Sequence, residues 1–272
     1  MHTSSRLRST SAAKTEPRKG TDPRQTDTHQ TLIWSEIDSW WPVVMTAIQT
    51  VRRRDRVRSA RREFAVDVMV PMLRESFAKV RLFHGCRPPD VGVYYKEGIR
   101  RHGAFVLDRA RAIYRAQGIP ESDIEAAIED TDLQVDQDQV FLALDDERLI
   151  EMAGHYMIYG SEAVMSVGAA LISLGYLDAQ RKLMAIGRPT LLTCDVDLSL
   201  LACHSVREIA ESLYDEYRFV RGRRPRRPGS CDHTVVIHGD LPASAVRSHT
   251  NPIAIPDWHR NGLVYRFGDG HE

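Results

Sequence analysis

At 272 residues the chain has room for one large domain or two small ones, and its 42% of hydrophobic residues suffices for a packed core. Its 37 basic and 37 acidic residues leave no net charge, which excludes polyanion binding by bulk electrostatics and leaves that role to local clusters. Cys86, Cys194, Cys203 and Cys231 lie far apart without a CxxC pair, which excludes a zinc ribbon or a disulfide scaffold and points to a reduced, cytoplasmic setting. The longest uncharged apolar run, Ala163 to Leu177, falls short of the ~20 residues of a membrane span. No signal-peptide core follows the N-terminal charges, so a soluble protein with no membrane partner is expected.

Residues 1–30 are rich in Ser, Thr, Arg, Lys and Pro with few large apolar side chains, and read as a disordered tail. Glu16, Asp22 and Asp27 argue against a transit peptide. A helical extension follows over 31–79. Ile33, Trp34, Ile37, Trp40 and Trp41 recur at helical spacing, as do Val57, Phe64 and Val68, which predicts two helices. Pro42 marks a first turn and Pro71 a stop or kink. The basic run Arg52 to Arg62 is either a solvated helix face or a phosphate-contacting patch.

Val80 to Arg87 reads as a short strand ending in His84-Gly85. Asp90 then caps a helix that runs through Tyr94 and Tyr95 to a stop at Gly98. His102 to Asp132 reads as helix, turn and helix, with Ser122 and Glu125 in a capping-box pattern. Val140 to Leu144 reads as a buried strand leading into the stretch that bears His155, Tyr156, Tyr159, Ser161 and Glu162. On one continuous helix His155, Tyr159 and Glu162 share a face. A carboxylate between two aromatic rings and an apolar helix calls for a partner, which makes Glu162 either one half of an Arg pair or a reactive group.

Beyond this, Arg188 to Leu198 alternates as a half-buried strand does, and residues 204–219 form an amphipathic helix. The loop Arg221 to Gly229 carries Arg223, Arg224, Arg226 and Arg227. It is either a solvated loop or a clamp on the phosphates of a nucleic acid or dinucleotide. Thr234–Gly239 and Gly262–Phe267 suggest a final strand pair. No GxSxG elbow, Walker loop or GxGxxG anchors a hydrolase, P-loop or Rossmann reading, and no helix carries an HExxH pair, so no metal is expected.

LFHGCRPPDVGVYYKEGI, followed later by PTLLTCDVDLSLL and HTVVIHGDLPASAV, resembles the ADP-ribosyltransferase catalytic fold in its histidine-bearing branches, over roughly residues 80–250. The resemblance implies an α+β domain over 80–272, with a split mixed β-sheet of ADP-ribosyltransferase type and the helical extension before it. The segments near 80, 140, 190, 234 and 263 would build that sheet. It implies NAD as cofactor, with His84 and Gly85 on the nicotinamide ribose and carboxamide, and Tyr156 or Tyr159 as the ring face. In the family a glutamate usually opens the strand that here begins near Thr234. This chain has Asp232 and His233 instead, so Glu162 is the first candidate for the catalytic carboxylate and Asp232 the second. The activity so implied is transfer of ADP-ribose to a nucleic acid or protein acceptor. The alternative is a non-catalytic nucleic-acid-binding or regulatory module on the same scaffold.

Overall fold

Alternation along one central strand layers the molecule. The structure, a computed structural model, describes residues 31–54, 61–101, 103, 105–131, 138–222 and 234–268, with only the backbone of 52–54, 61–62 and 64. The expected tail, most of the basic run at 52–62 and the four arginines of the loop after 222 lie outside the described residues or their side chains.

A short strand, β1 (Thr31–Leu32), leads into helices α1 (Ile37–Arg54) and α2 (Arg61–Ser76). Their helical spacing buries Trp40, Val44, Ala47, Met69 and Leu73 on one side. Pro71 sits inside α2, which continues to Ser76, so it does not act as a stop. Strand β2 (Lys79–Cys86) precedes α3 (Gly92–Glu97), α4 (Phe105–Ala116) and α5 (Glu121–Asp130). The Asp90 carboxylate accepts from Gly92 N at 2.7 Å, but Val91 is the residue at the cap of α3. Gly98 closes α3 with a φ of 80°, and a Cβ there would overlap the Leu241 carbonyl. Ile99 and Leu241 then exchange two backbone bonds at this crossing. The capping box expected at Ser122 does not form. α5 starts at Glu121 behind Pro120, and Glu125 instead pairs with Arg111 at 2.6 Å.

Strand β3 (Gln139–Ala143) enters α6 (Asp146–Ala153), capped by Asp145 through Arg148 N. Then come α7 (His155–Tyr159), α8 (Glu162–Ser173), α9 (Ala179–Leu183), β4 (Thr190–Asp197) and α10 (Cys203–Val220). Strands β5 (Thr234–His238), β6 (Val246–Thr250), β7 (Ala254–Asp257) and β8 (Leu263–Arg266) complete the order.

The fold is α+β around an antiparallel sheet of order β5-β3-β2-β4-β6, with β1 added parallel to β2. β8 corrects the expected final pairing: it joins β7 in a separate hairpin, and β6 takes the edge of the main sheet beside β4. Strands β2 and β4 pair along their whole length, whereas β2 and β3 share one residue pair, Phe83 with Ala143, before they part. Val80, Leu82 and Cys86 point into a core shared with α1, α2 and α10. Phe83 points the other way, into a second core built by α4, α5, α7, α8 and α9 with Leu191 and Ile255. Residues 31–79 thus pack on the sheet itself.

Candidate functional site

His84 has the parity of Val80 and Leu82, and so belongs to the face covered by α1, α2 and α10. It stands where β2 and β3 part. Its Nδ1 lies 3.0 Å from the Phe141 carbonyl oxygen. A carbonyl only accepts, so Nδ1 carries the proton and Nε2 presents a lone pair. Burial lowers its pKa and so favours the neutral ring, while the bond to Phe141 opposes that shift. Tyr94 approaches edge-on with ring centroids 6.5 Å apart. The Tyr94 hydroxyl meets the Cys86 thiol and the Arg109 guanidinium. Burial pushes that thiol up to about 12, so it stays protonated and unreactive at neutral pH.

On the opposite face Gly160, with a φ of 106°, ends α7 and forces a break before α8. The single helix expected over this stretch is therefore two. The break still gathers Tyr156, Tyr159 and Glu162, together with Asp257, His259, Arg260 and Tyr265 from the β7–β8 hairpin. Tyr159 donates to Asp257 Oδ2 at 2.9 Å, and the Tyr265 hydroxyl lies 3.0 Å from Tyr159. One hydroxyl proton serves one acceptor, so Tyr265 donates to Tyr159 and the chain ends on the carboxylate. Asp257 is 1% exposed and also accepts from His259 N at 3.0 Å, with Arg260 Nε 3.8 Å away. Burial first, then the bond to the Asp257 carboxylate and its charge, raises the Tyr159 pKa, so the phenol stays neutral.

His155 Nε2 lies 3.8 Å from Glu162 Oε2, and its ring sits 4.2 Å from Tyr156 and 4.6 Å from His259. Its Nδ1 is buried with no partner among the described residues. Desolvation lowers the His155 pKa and His259 adds to that, while Glu162 and Asp257 oppose it. Tyr156 is pushed up to about 12, by burial and then by Glu162. The partners of Glu162 are thus His155 and Tyr156, and among the described residues no arginine pairs with it.

Tyr159, Gly160 and Ser161 also line a small open recess, with Arg87 and Arg109 on its other side. Arg87 is 6% exposed and donates to the carbonyls of Ile186 at 2.9 Å, Met157 at 3.0 Å, and Met184.

The structure therefore brings Tyr156, Tyr159 and Glu162 together and leaves His84 on the other side of the sheet. Gly85 faces the second core, where a Cβ would come 3.3 Å from Met157 Cγ. Asp232 and Arg223, Arg224, Arg226 and Arg227 lie outside the described residues. Asp257, His259, Arg87 and Arg109 were not anticipated. Asp257 and His259 fall in a segment without a periodic pattern, whereas the Gly160-Ser161 break was visible as a helix stop followed by an N-cap residue. No family model, no characterised protein and no solved structure matches this chain.

Proposed function

We propose that the protein is an ADP-ribosyltransferase-like protein that binds NAD where β2 and β3 part, with His84 holding the nicotinamide ribose and a nucleic acid or protein as acceptor. The observation that carries this reading is the 3.0 Å contact between His84 Nδ1 and the Phe141 carbonyl oxygen. With Nδ1–H committed to Phe141, Nε2 is left as an oriented acceptor for a ribose hydroxyl. The sheet that splits after one β2–β3 pair supports the same reading. Bound NAD would supply a glycosidic bond whose cleavage leaves an oxocarbenium-like ribose, and the chain's task is to hold that ribose and the departing ring. Glu162, engaged by His155 on the other face, is not the carboxylate this geometry favours for that role. That leaves Asp232 as the residue to test.

Calorimetric titration with NAD, run beside a nicotinamide-release assay, tests the reading. The intact protein should bind NAD, His84→Ala should weaken it at least tenfold, about 1.4 kcal/mol, and Glu162→Gln should bind as the parent does. Nicotinamide release that Asp232→Asn abolishes makes the protein a transferase, and binding without release makes it a non-catalytic module. No NAD binding, or binding indifferent to His84, removes the proposal.

A further inference from the structure

We infer that the recess at the head of α8 is an oxyanion site that takes the phosphate group of a small phosphorylated ligand. The inference does not rest on the NAD reading, because no atom of His84 enters it.

Charge is the first argument. Arg87 is 94% buried by its 6% exposure, and its three acceptors are neutral carbonyls. The Phe267 ring lies 5.1 Å from its guanidinium carbon. Among the described residues no carboxylate lies within ion-pair distance of it. Desolvation lowers its pKa only to about 10, so it remains a cation at neutral pH. A buried cation with no counter-ion is costly, and such groups are ordinarily paired. A guanidinium has five N–H donors and these bonds use three. Arg109 lines the same recess and reaches the Arg87 carbonyl at 3.4 Å and the Tyr94 hydroxyl, again without a carboxylate among the described residues.

Ser161 adds an orphan hydroxyl. Ser161 Oγ has under 1 Å2 of accessible surface and no partner among the described residues, although it lines the recess. Ser161 is the cap residue of α8, yet its side chain does not cap the helix. The N-terminal N–H groups of this 12-residue helix thus lack a side-chain cap from Ser161, and Glu162 is the acid of its first turn. The rest of the lining does not compete. Ile113, Val164, Leu183 and Ile186 are apolar, and the Tyr159 proton is already given to Asp257. Glu162, next in sequence, is turned to His155 and Tyr156. Two guanidinium groups and a hydroxyl match the charge and several acceptor oxygens of a phosphate better than those of a carboxylate.

The test uses the full chain, titrated at constant ionic strength with inorganic phosphate, ribose 5-phosphate and acetate, with chloride as the reference. Binding is read by calorimetry and folding by the thermal midpoint. Saturable binding of ribose 5-phosphate or inorganic phosphate is expected, with Arg109→Gln raising Kd at least tenfold and Ser161→Ala severalfold. Both variants should keep a cooperative thermal transition. Tighter binding of ribose 5-phosphate assigns a phosphorylated metabolite, and equal binding assigns free phosphate. No saturable binding, acetate bound as tightly as phosphate, or folded variants that bind as the parent does would each overturn the site. His84→Ala should leave phosphate binding unchanged, so loss of NAD binding alone sinks the earlier reading and not this one.

Discussion

On one face of the sheet Val80, Leu82, Leu192 and Val196 share a core with Trp40, Val44, Met69 and Leu213. Among the described residues the polar contacts there include the Trp40 Nε1 donor to the Trp34 carbonyl at 3.0 Å, the Ser205 hydroxyl on the Val236 carbonyl at 2.9 Å and His84 Nδ1 on the Phe141 carbonyl at 3.0 Å. On the other face, whose core holds Ile158, Val167 and Leu171, Tyr114, Tyr159, Asp195, Arg87 and Asp257 are buried. Tyr114 donates to the Val164 carbonyl at 2.6 Å, and Asp195 accepts from Arg81 at 2.9 Å. The first face is held by area removed from water, which is insensitive to direction. The second is held by bonds that fix geometry, and polar atoms left over there, such as Ser161 Oγ and His155 Nδ1, are where a ligand has something to complete.

The sharpest break in that comparison comes from emptying the dry face. Trp40 is fully buried, so Trp40→Ala should cost about 3–5 kcal/mol through lost transfer energy and the cavity left behind. Urea unfolding should show a lower midpoint with an unchanged slope. A loss under 1 kcal/mol would mean that α1 is not part of the cooperative core. On the bonded face Asp257→Ala should cost about 2–3 kcal/mol, because it strands the Tyr159 hydroxyl and His259 N without an acceptor. Asp257→Asn, which keeps an acceptor oxygen, should recover at least half of that.

A smaller effect separates direction from volume. A Cβ at Gly168 would overlap the Tyr114 hydroxyl and sit 3.0 Å from Gln180 Cγ, so Gly168→Ala should cost about 1–2 kcal/mol. In a Tyr114→Phe background the nearest ring carbon is 3.4 Å away, and the same substitution should cost less. A double-mutant cycle reads the difference. Strict additivity would show that the crowding is not at the hydroxyl.

Periodicity made the scaffold legible. The apolar spacing of α1 and α10, the strand that carries His84 and Gly85 and the stop at Gly98 all rest on local pattern, and local pattern survives into the fold, although the strand runs on to Cys86. The edges were not legible. Gly262–Phe267 reads as a strand either way, and only the tertiary fold decides that it pairs with Ala254–Asp257. The site was legible in part, because Tyr156, Tyr159 and Glu162 lie close in sequence. Asp257 is 98 residues from Tyr159, and a lone acid in an irregular segment announces nothing until the chain folds back on it. Parity was the missed signal for His84: two residues after Leu82 on a strand, it shares that residue's face, while Gly85 shares the face of Phe83.

The finest distinction between the faces is in pH. His84 and His155 both have folded pKa values below the ordinary 6.5, each chiefly through burial. Between those lowered values and 6.5 the unfolded chain binds more protons than the folded one, so stability rises with pH there. The contribution is complete above 6.5 and is lost as pH falls through the folded values. The two histidines differ in what opposes burial. For His84 it is a neutral carbonyl, whereas for His155 it is the charges of Glu162 and Asp257, set against the repulsion of His259. Glu162→Gln should therefore lower the His155 pKa further and steepen the loss of stability below pH 6.5. The change should be only a few tenths of a kcal/mol, because the Glu162 side chain is 56% exposed and water screens it. His84 should not respond. NMR titration of the two imidazoles in the parent and in Glu162→Gln reads both at once. A shift at His84, or none at His155, would mean that the two faces are not electrostatically separate.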